Sequence, residues 1–298
     1  MRKLLKDAKG SSAIPMTPFL ENGDIDYKVL EKEIDWICSQ NVGSICGPVN
    51  VSEFMVLTDE ERTSLIKAYT EITNNRTAVI VNVAATNIKD AVRYTEYAEK
   101  CGADAVIAMP PYVGELDFSS VKEYYNSIAK STSLPVMIQN QHFPNIAISV
   151  DNILELCAMQ KNISWIKQET TPAKSVDELN RKRTADIEGI MSGFSGLYST
   201  QDFLNGAIAT IHACEYCDLV QKLWDYMFNG EMQKAYDLQT TLTPALILEG
   251  LYTWQYTKYI MEKRGIFKNH ITRNKKDVLT KTAITQIDTV WENIKKHI

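Results

Sequence analysis

Apolar positions along this chain fall into short continuous runs, and between the runs they recur at helical spacing. Ser11 to Phe19 (SSAIPMTPF) predicts a first strand that ends at the turn-prone Thr17-Pro18. Asp26 then stands where a helix cap belongs, ahead of Val29, Leu30, Ile34, Ile37 and Cys38 on one helical face. Gly43 to Val49 predicts the next strand, and Thr58-Asp59-Glu60-Glu61 is a capping box that opens a helix to Thr73. The alternation continues. Strands are expected over Thr77 to Val83, Ala103 to Met109, Leu134 to Gln139, Ile163 to Lys167, Ile187 to Ser192 and Gly206 to Thr210. Helices are expected from Asn87 or Lys89 to Cys101, onward from Ser119, over Ser149 to Met159, Pro172 to Arg181 and Gly196 to Leu204.

Counted from Ser11, this makes eight apolar strands separated by helices. Parallel strands need crossover connections, and right-handed crossovers repeated eight times curl one way until the sheet closes. No G-x-G-x-x-G opens the first helix, which favours a closed barrel over an open doubly wound sheet. Ile211 to Phe228, Glu231 to Leu248, Tyr252 to Lys263 and Lys281 to Lys296 read as helices, broken at Asn229-Gly230, Gly250 and Gly265. The fold expected is α/β: a TIM (β/α)8 barrel over residues 1–225, with a C-terminal helical extension packed on it over residues 226–298. The run Lys268 to Asp277, with Lys268, Arg273, Lys275 and Lys276, reads as a solvated surface loop.

Composition narrows the function without naming it. An apolar fraction of 45% and a charged fraction of 23% suit a globular protein, so disorder is not expected. A net charge of −5, without a strong local excess of either sign, argues against a nucleic-acid or anionic-membrane surface. No apolar run is long enough to span a bilayer, and MRKLLKDAKG lacks the apolar core of a signal peptide, so a cytoplasmic location is expected. Of the cysteines only Cys214 and Cys217 are close in sequence; they lie in a helical pattern without a second pair and read as half-buried thiols. No His/Cys/Asp cluster has metal-ligand spacing and no Walker loop is present, so no metal and no nucleotide are expected.

In a barrel the carboxyl ends of the strands share one rim, where residues far apart in sequence converge. Lys167 is the one lysine among the strand ends placed there, with an apolar strand behind it and Gln168-Glu169-Thr170-Thr171 beside it. Burial favours the neutral form of an amine, and a neutral amine attacks a ketone or aldehyde to form a Schiff base; lysines also simply mark where strands meet solvent. Glu169 is either an acid or base for that amine or a partner that orients the loop. The loop Gly47 to Glu53 either offers N–H groups to a carboxylate or is a tight turn. Tyr112, after Pro110-Pro111, is either a proton relay or a packing residue, and His142 is either titratable or a satisfied loop histidine.

Taken in order, AIPMTPF, NVSEFMVLTDEER, AMPPY, PVMIQN, WIKQET and MSGFSG make nearly the whole chain resemble one family. It is the dihydrodipicolinate synthase / N-acetylneuraminate lyase family of Schiff-base-forming aldolases and dehydratases. The resemblance implies an imine between Lys167 and a 2-oxo acid, needing no cofactor beyond that covalent bond. It matches Val49 to Glu53 to the family's loop for the substrate carboxylate, and Tyr112 to a tyrosine that can enter a neighbouring subunit's site. Catalytic roles are thus expected for Lys167, Tyr112 and Glu169, and substrate contacts for Asn50, Val51, Ser52, Glu53, Gln139, His142, Gly193 and Phe194. The chain departs from the family pattern at Gln139, where a proton-shuttling tyrosine is usual, and at Phe143-Pro144-Asn145, where an arginine is expected. An amide orients groups but does not shuttle protons. The expected function is a class I lyase, aldolase or dehydratase, acting on a small 2-oxo acid or 2-keto-3-deoxy sugar acid. The alternative is a catalytically impaired barrel that binds such an acid; a metal-dependent aldolase is disfavoured by the missing ligand set. A homodimer or homotetramer is expected, with Tyr112, Tyr124, Tyr125, Trp254 and Tyr256 as candidate contacts.

Overall fold

The computed structural model describes residues 5–114, 116–142, 147–273 and 278–298. Its strands are Gly10–Ile14 (β1), Ser44–Gly47 (β2), Ala78–Asn82 (β3), Ala105–Ala108 (β4), Val136–Asn140 (β5), Ile163–Gln168 (β6), Gly189–Ser192 (β7) and Ala209–Ala213 (β8). All neighbours pair in parallel, and β1 pairs with both β2 and β8, so the sheet closes into the expected barrel. The helices between strands are Tyr27–Ser39 (α1), Asp59–Thr73 (α2), Ile88–Cys101 (α3), Phe118–Lys130 (α4), Val150–Met159 (α5), Lys174–Lys182 (α6) and Ser199–Leu204 (α7). Cys217–Phe228 (α8), Met232–Lys263 (α9) and Lys281–Ile294 (α10) follow the last strand.

Local chemistry explains where helices begin. The Asp26 carboxylate accepts the Val29 N–H, and Thr58 and Glu61 form a reciprocal capping box. Asn87, Asp117 and Ser149 cap α3, α4 and α5 in the same way. Packing then separates two apolar regions. Ile14, Cys46, Ile80, Ile107, Met137, Trp165, Met191 and Ile211 fill the barrel's interior, while a larger cluster joins the outer faces of the strands to the helices.

Several boundaries differ from the sequence reading. β8 runs to Ala213, so Ile211 belongs to a strand and not to the closing helix; an apolar stretch without Gly or Pro carries no mark of where strand gives way to helix. Glu231 to Leu248 and Tyr252 to Lys263 are one long element, α9, broken at Thr253 (φ 43°, ψ −121°) and not at Gly250. The division expected after residue 225 runs through α8. Tyr124, Tyr125 and Tyr256 are fully buried in the chain's own core, so they are no subunit contacts. Cys214 and Cys217 are fully buried, not half-buried. Arg273 is held by the Glu61 carboxylate and by the Gly23 and Val56 carbonyls, so this part of the Lys268 to Asp277 run is packed down. Lys275 and Lys276 lie outside the described residues. No helix among the described residues is long and apolar enough to cross a membrane.

Candidate active site

Side chains alternate across a strand, so Trp165, Lys167 and Glu169 all point to the same side of β6. Trp165 belongs to the interior packing, which places Lys167 on top of the apolar plug at the carboxyl end of the barrel. Pairing sets Gln139 of β5 and Met191 of β7 level with Lys167. Lys167 Nζ lies 2.9 Å from Glu169 Oε2, with the two side chains 5% and 12% exposed. The amine is thus nearly buried, yet its carboxylate partner reaches the mouth.

Glu169 is fixed from both sides. Gln139 Nε2 donates to its Oε2 at 3.3 Å and to Gln141 Oε1 at 3.0 Å. The Phe194 N–H donates to its Oε1 at 3.3 Å, and the carboxylate packs directly on Gly193. Lys167, Glu169, Gln139, Gly193 and Phe194 therefore form one cluster at the ends of β5, β6 and β7.

Two interior groups beneath the amine complete its electrostatic surroundings. Burial pushes the Cys46 thiol up to about 12, with Lys167 and Glu169 both close enough to act on it, so Cys46 stays a neutral thiol. His212 lies one strand past β7 and escaped the sequence reading because its segment read as helix. Its Nδ1 faces the Ala213 carbonyl at 2.7 Å, which only accepts, so Nδ1 carries the proton and Nε2 accepts from Ser11 Oγ at 2.7 Å. Burial, reinforced by Lys167, lowers this imidazole to about 4, so it is neutral at physiological pH.

The turn after β2 divides its residues between two tasks. Ser52 is buried with its hydroxyl donating to the Pro15 carbonyl, and Thr17 Oγ1 donates to the Ser52 carbonyl. Glu53, in a left-handed conformation (φ 60°), turns away from the mouth to Lys258 of α9. That ion pair is 2.5 Å long with both side chains wholly buried, and the Arg273 N–H donates to the other Glu53 oxygen at 2.9 Å. Asn50 and Val51 remain half-buried, and the turn's own bonds use the N–H groups of Ser52, Glu53 and Phe54. Trp254 Nε1 holds this turn from above through the Asn50 carbonyl at 2.8 Å.

Tyr112 stands with its ring edge-on to Phe54, centroids 5.7 Å apart, beside the buried Arg62. His142 is exposed and borders an outer groove with Gln168 and Thr171, on the far side of β6 from Lys167. Phe143-Pro144-Asn145 lie outside the described residues. A cavity of about 500 Å3 lies between the turn after β2 (Asn50, Val51, Glu53), Ser195 of the loop after β7, and Glu249, Thr253 and Trp254 of α9; Lys167, Glu169, Gln139, Gly193 and Phe194 do not line it. Sequence reasoning missed Glu249 and Lys258 and read Trp254 only as a subunit contact, because a helical pattern 80 or more residues past Lys167 gives no sign that it reaches over the rim.

Known proteins resemble this chain over most of its length. The dihydrodipicolinate synthetase family model matches residues 7–289. The chain belongs to this family. A 4-hydroxy-tetrahydrodipicolinate synthase of Bartonella quintana is 30% identical over 182 residues, which cover 60% of this chain and 61% of that protein. An uncharacterised DapA-like lyase of Thermococcus onnurineus is 31% identical over 195 residues, 65% of this chain and 64% of that one. The chain thus spans less than two thirds of the length of these relatives. Among solved structures, the 4-hydroxy-tetrahydrodipicolinate synthase of Methylacidiphilum fumariolicum superposes with a TM-score of 0.90 at 24% identity, covering 97% of this chain and 96% of that one. That likeness concerns the fold.

Proposed function

We propose that the protein is a Schiff-base-forming class I lyase acting on a 2-oxo acid or a 2-keto-3-deoxy sugar acid. The observation that carries this reading is the position of Glu169 Oε2, 2.9 Å from Lys167 Nζ, in a site nearly closed to water. Lys167 passes a proton to Glu169 and attacks the C2 carbonyl. Glu169 returns that proton to the departing hydroxyl, and water leaves to give a protonated imine. The imine then serves as an electron sink. For cleavage, Glu169 accepts the C4 hydroxyl proton as the C3–C4 bond breaks, releasing an aldehyde and leaving an enamine. For dehydration, it takes a C3 proton, and the C4 hydroxyl leaves as water once protonated. After cleavage Glu169 returns its proton to C3, which turns the enamine back into the imine, and both routes end in hydrolysis of the imine, which frees the amine.

Gln139 suits this scheme although it does not titrate. Its amide N–H holds the Glu169 oxygen that faces the amine, so a carboxylate takes the shuttle role that a phenol fills elsewhere in the family. We assign the substrate carboxylate to the N–H groups of Asn50 and Val51, because the Ser52 hydroxyl and the Glu53 carboxylate already serve the protein. Tyr112, packed on Phe54 beside Arg62, is assigned no proton transfer, and the product is governed by the group opposite Glu169. The test is borohydride reduction in the presence of pyruvate and of 2-keto-3-deoxy sugar acids. A pyruvate-derived mass increment on Lys167, absent from Lys167→Ala, is expected, and Glu169→Gln is expected to slow turnover by about 10² to 10⁴. Failure of every keto acid to mark the wild-type lysine would leave a binding protein in place of an enzyme.

A further inference from the structure

The loop after β7 runs Gly193-Phe194-Ser195-Gly196, and Phe194 (φ 51°) and Ser195 (φ 55°) both adopt the left-handed region. Residues with a Cβ are uncommon there, and two in succession persist only where surrounding structure holds them. The holder is on α9. Ser195 Oγ donates a short hydrogen bond to Glu249 Oε1, across 54 residues of chain. Glu249 is 5% exposed and neighbours the fully buried Glu215. Burial keeps both carboxyl groups above the usual carboxylate range, and for Glu249 the charge of Glu215 adds to it.

At the other end of the same loop, the Phe194 N–H donates to Glu169 Oε1, and Glu169 Oε2 faces Lys167 Nζ. A continuous set of contacts therefore leads from a buried carboxyl pair behind the loop to the amine. We propose that Glu249 is a positioning residue: its grip on Ser195 keeps the left-handed turn that places the Phe194 N–H against Glu169 and so aims Glu169 at Lys167. The inference rests on the lyase reading above. Gln239 Nε2, donating to the Leu197 carbonyl at 3.2 Å, ties the loop to α9 independently, so loss of the Ser195 hydroxyl leaves the loop attached but releases its turn.

The experiment compares imine formation with proton transfer in the full-length protein. Borohydride trapping of pyruvate reports the imine, and exchange of the pyruvate methyl protons in D2O, followed by NMR, reports proton removal by Glu169. Because Glu169 serves imine formation as well as proton removal, Ser195→Ala and Glu249→Ala are expected to reach the wild-type extent of trapped imine more slowly and to exchange the methyl protons at least about tenfold more slowly. Glu249→Gln retains an oxygen for Ser195 and gains an amide N–H for Glu215, so it is expected to recover most of the lost exchange. Ser195→Ala leaves the buried pair intact and decides the matter if Glu249→Ala does not fold. Exchange at the wild-type rate in Ser195→Ala overturns the inference. So does a lowered final extent of trapping, which loss of the folded site would produce, or a Glu249→Gln protein as slow as Glu249→Ala. Wild-type protein that traps no pyruvate overturns the lyase reading and this inference with it.

Discussion

Gly193 shows how a single position constrains the site. A Cβ there would stand 2.0 Å from Glu169 Oε1, against the carboxylate that is meant to face Lys167. Gly193→Ala should therefore push Glu169 aside and lower turnover roughly a hundredfold, while thermal unfolding moves little because the collision is at the mouth and not in the core. Unchanged kinetics in that variant would mean that Glu169 is not the proton carrier. Lys167 and Glu169 were legible in sequence because they follow an apolar strand directly, and alternation tells which residues share its face. Glu53 was legible only as a rim residue. Its left-handed backbone swings the carboxylate toward Lys258, 205 residues away in sequence, and local pattern carries no trace of such a partner.

Among the elements, α9 does more than cover the barrel. It reaches the turn after β2 through Trp254 and Lys258, and the loop after β7 through Gln239 and Glu249. The break at Thr253 falls between these contacts, which lets one helix address both loops. The Lys258 ammonium lies 4.3 Å from the centre of the Phe19 ring and donates to the Ile271 carbonyl at 2.8 Å in addition to its bond with Glu53. Lys258→Met would leave the Glu53 charge buried without its cation, at a cost of about 3 to 5 kcal/mol. Urea denaturation measures this, with Glu53→Gln added to Lys258→Met expected to regain part of the loss. A cost below about 1 kcal/mol would show that water reaches the pair and that α9 holds the turn by Trp254 alone.

For the whole molecule, buried titratable groups set how stability varies with pH. Burial raises Glu33 to about 8, against bonds from the Met16 N–H and the Cys214 thiol that pull the other way. A carboxyl whose folded value exceeds its unfolded one contributes fully below about 4.5 and loses that contribution as pH rises through 8, on the order of 4 to 5 kcal/mol for this shift. Glu33→Gln should therefore gain on the wild type in melting temperature between pH 6 and pH 9; a constant gap would place the pH dependence elsewhere. Assembly belongs to this scale as well. Leu204 of α7 and Ile247 and Leu251 of α9 are each at least half exposed. Sedimentation is expected to give a homodimer or homotetramer, and a monomer at tens of micromolar would count against it. Apolar runs, caps and their order were enough to determine eight parallel strands, a closed barrel and a lysine at the end of β6, because each depends on neighbours within a few residues. Which rim side chains turn inward to Lys167 and which are taken by α9 was decided only by tertiary structure, since an ion pair requires a partner that only the folded chain brings within 3 Å.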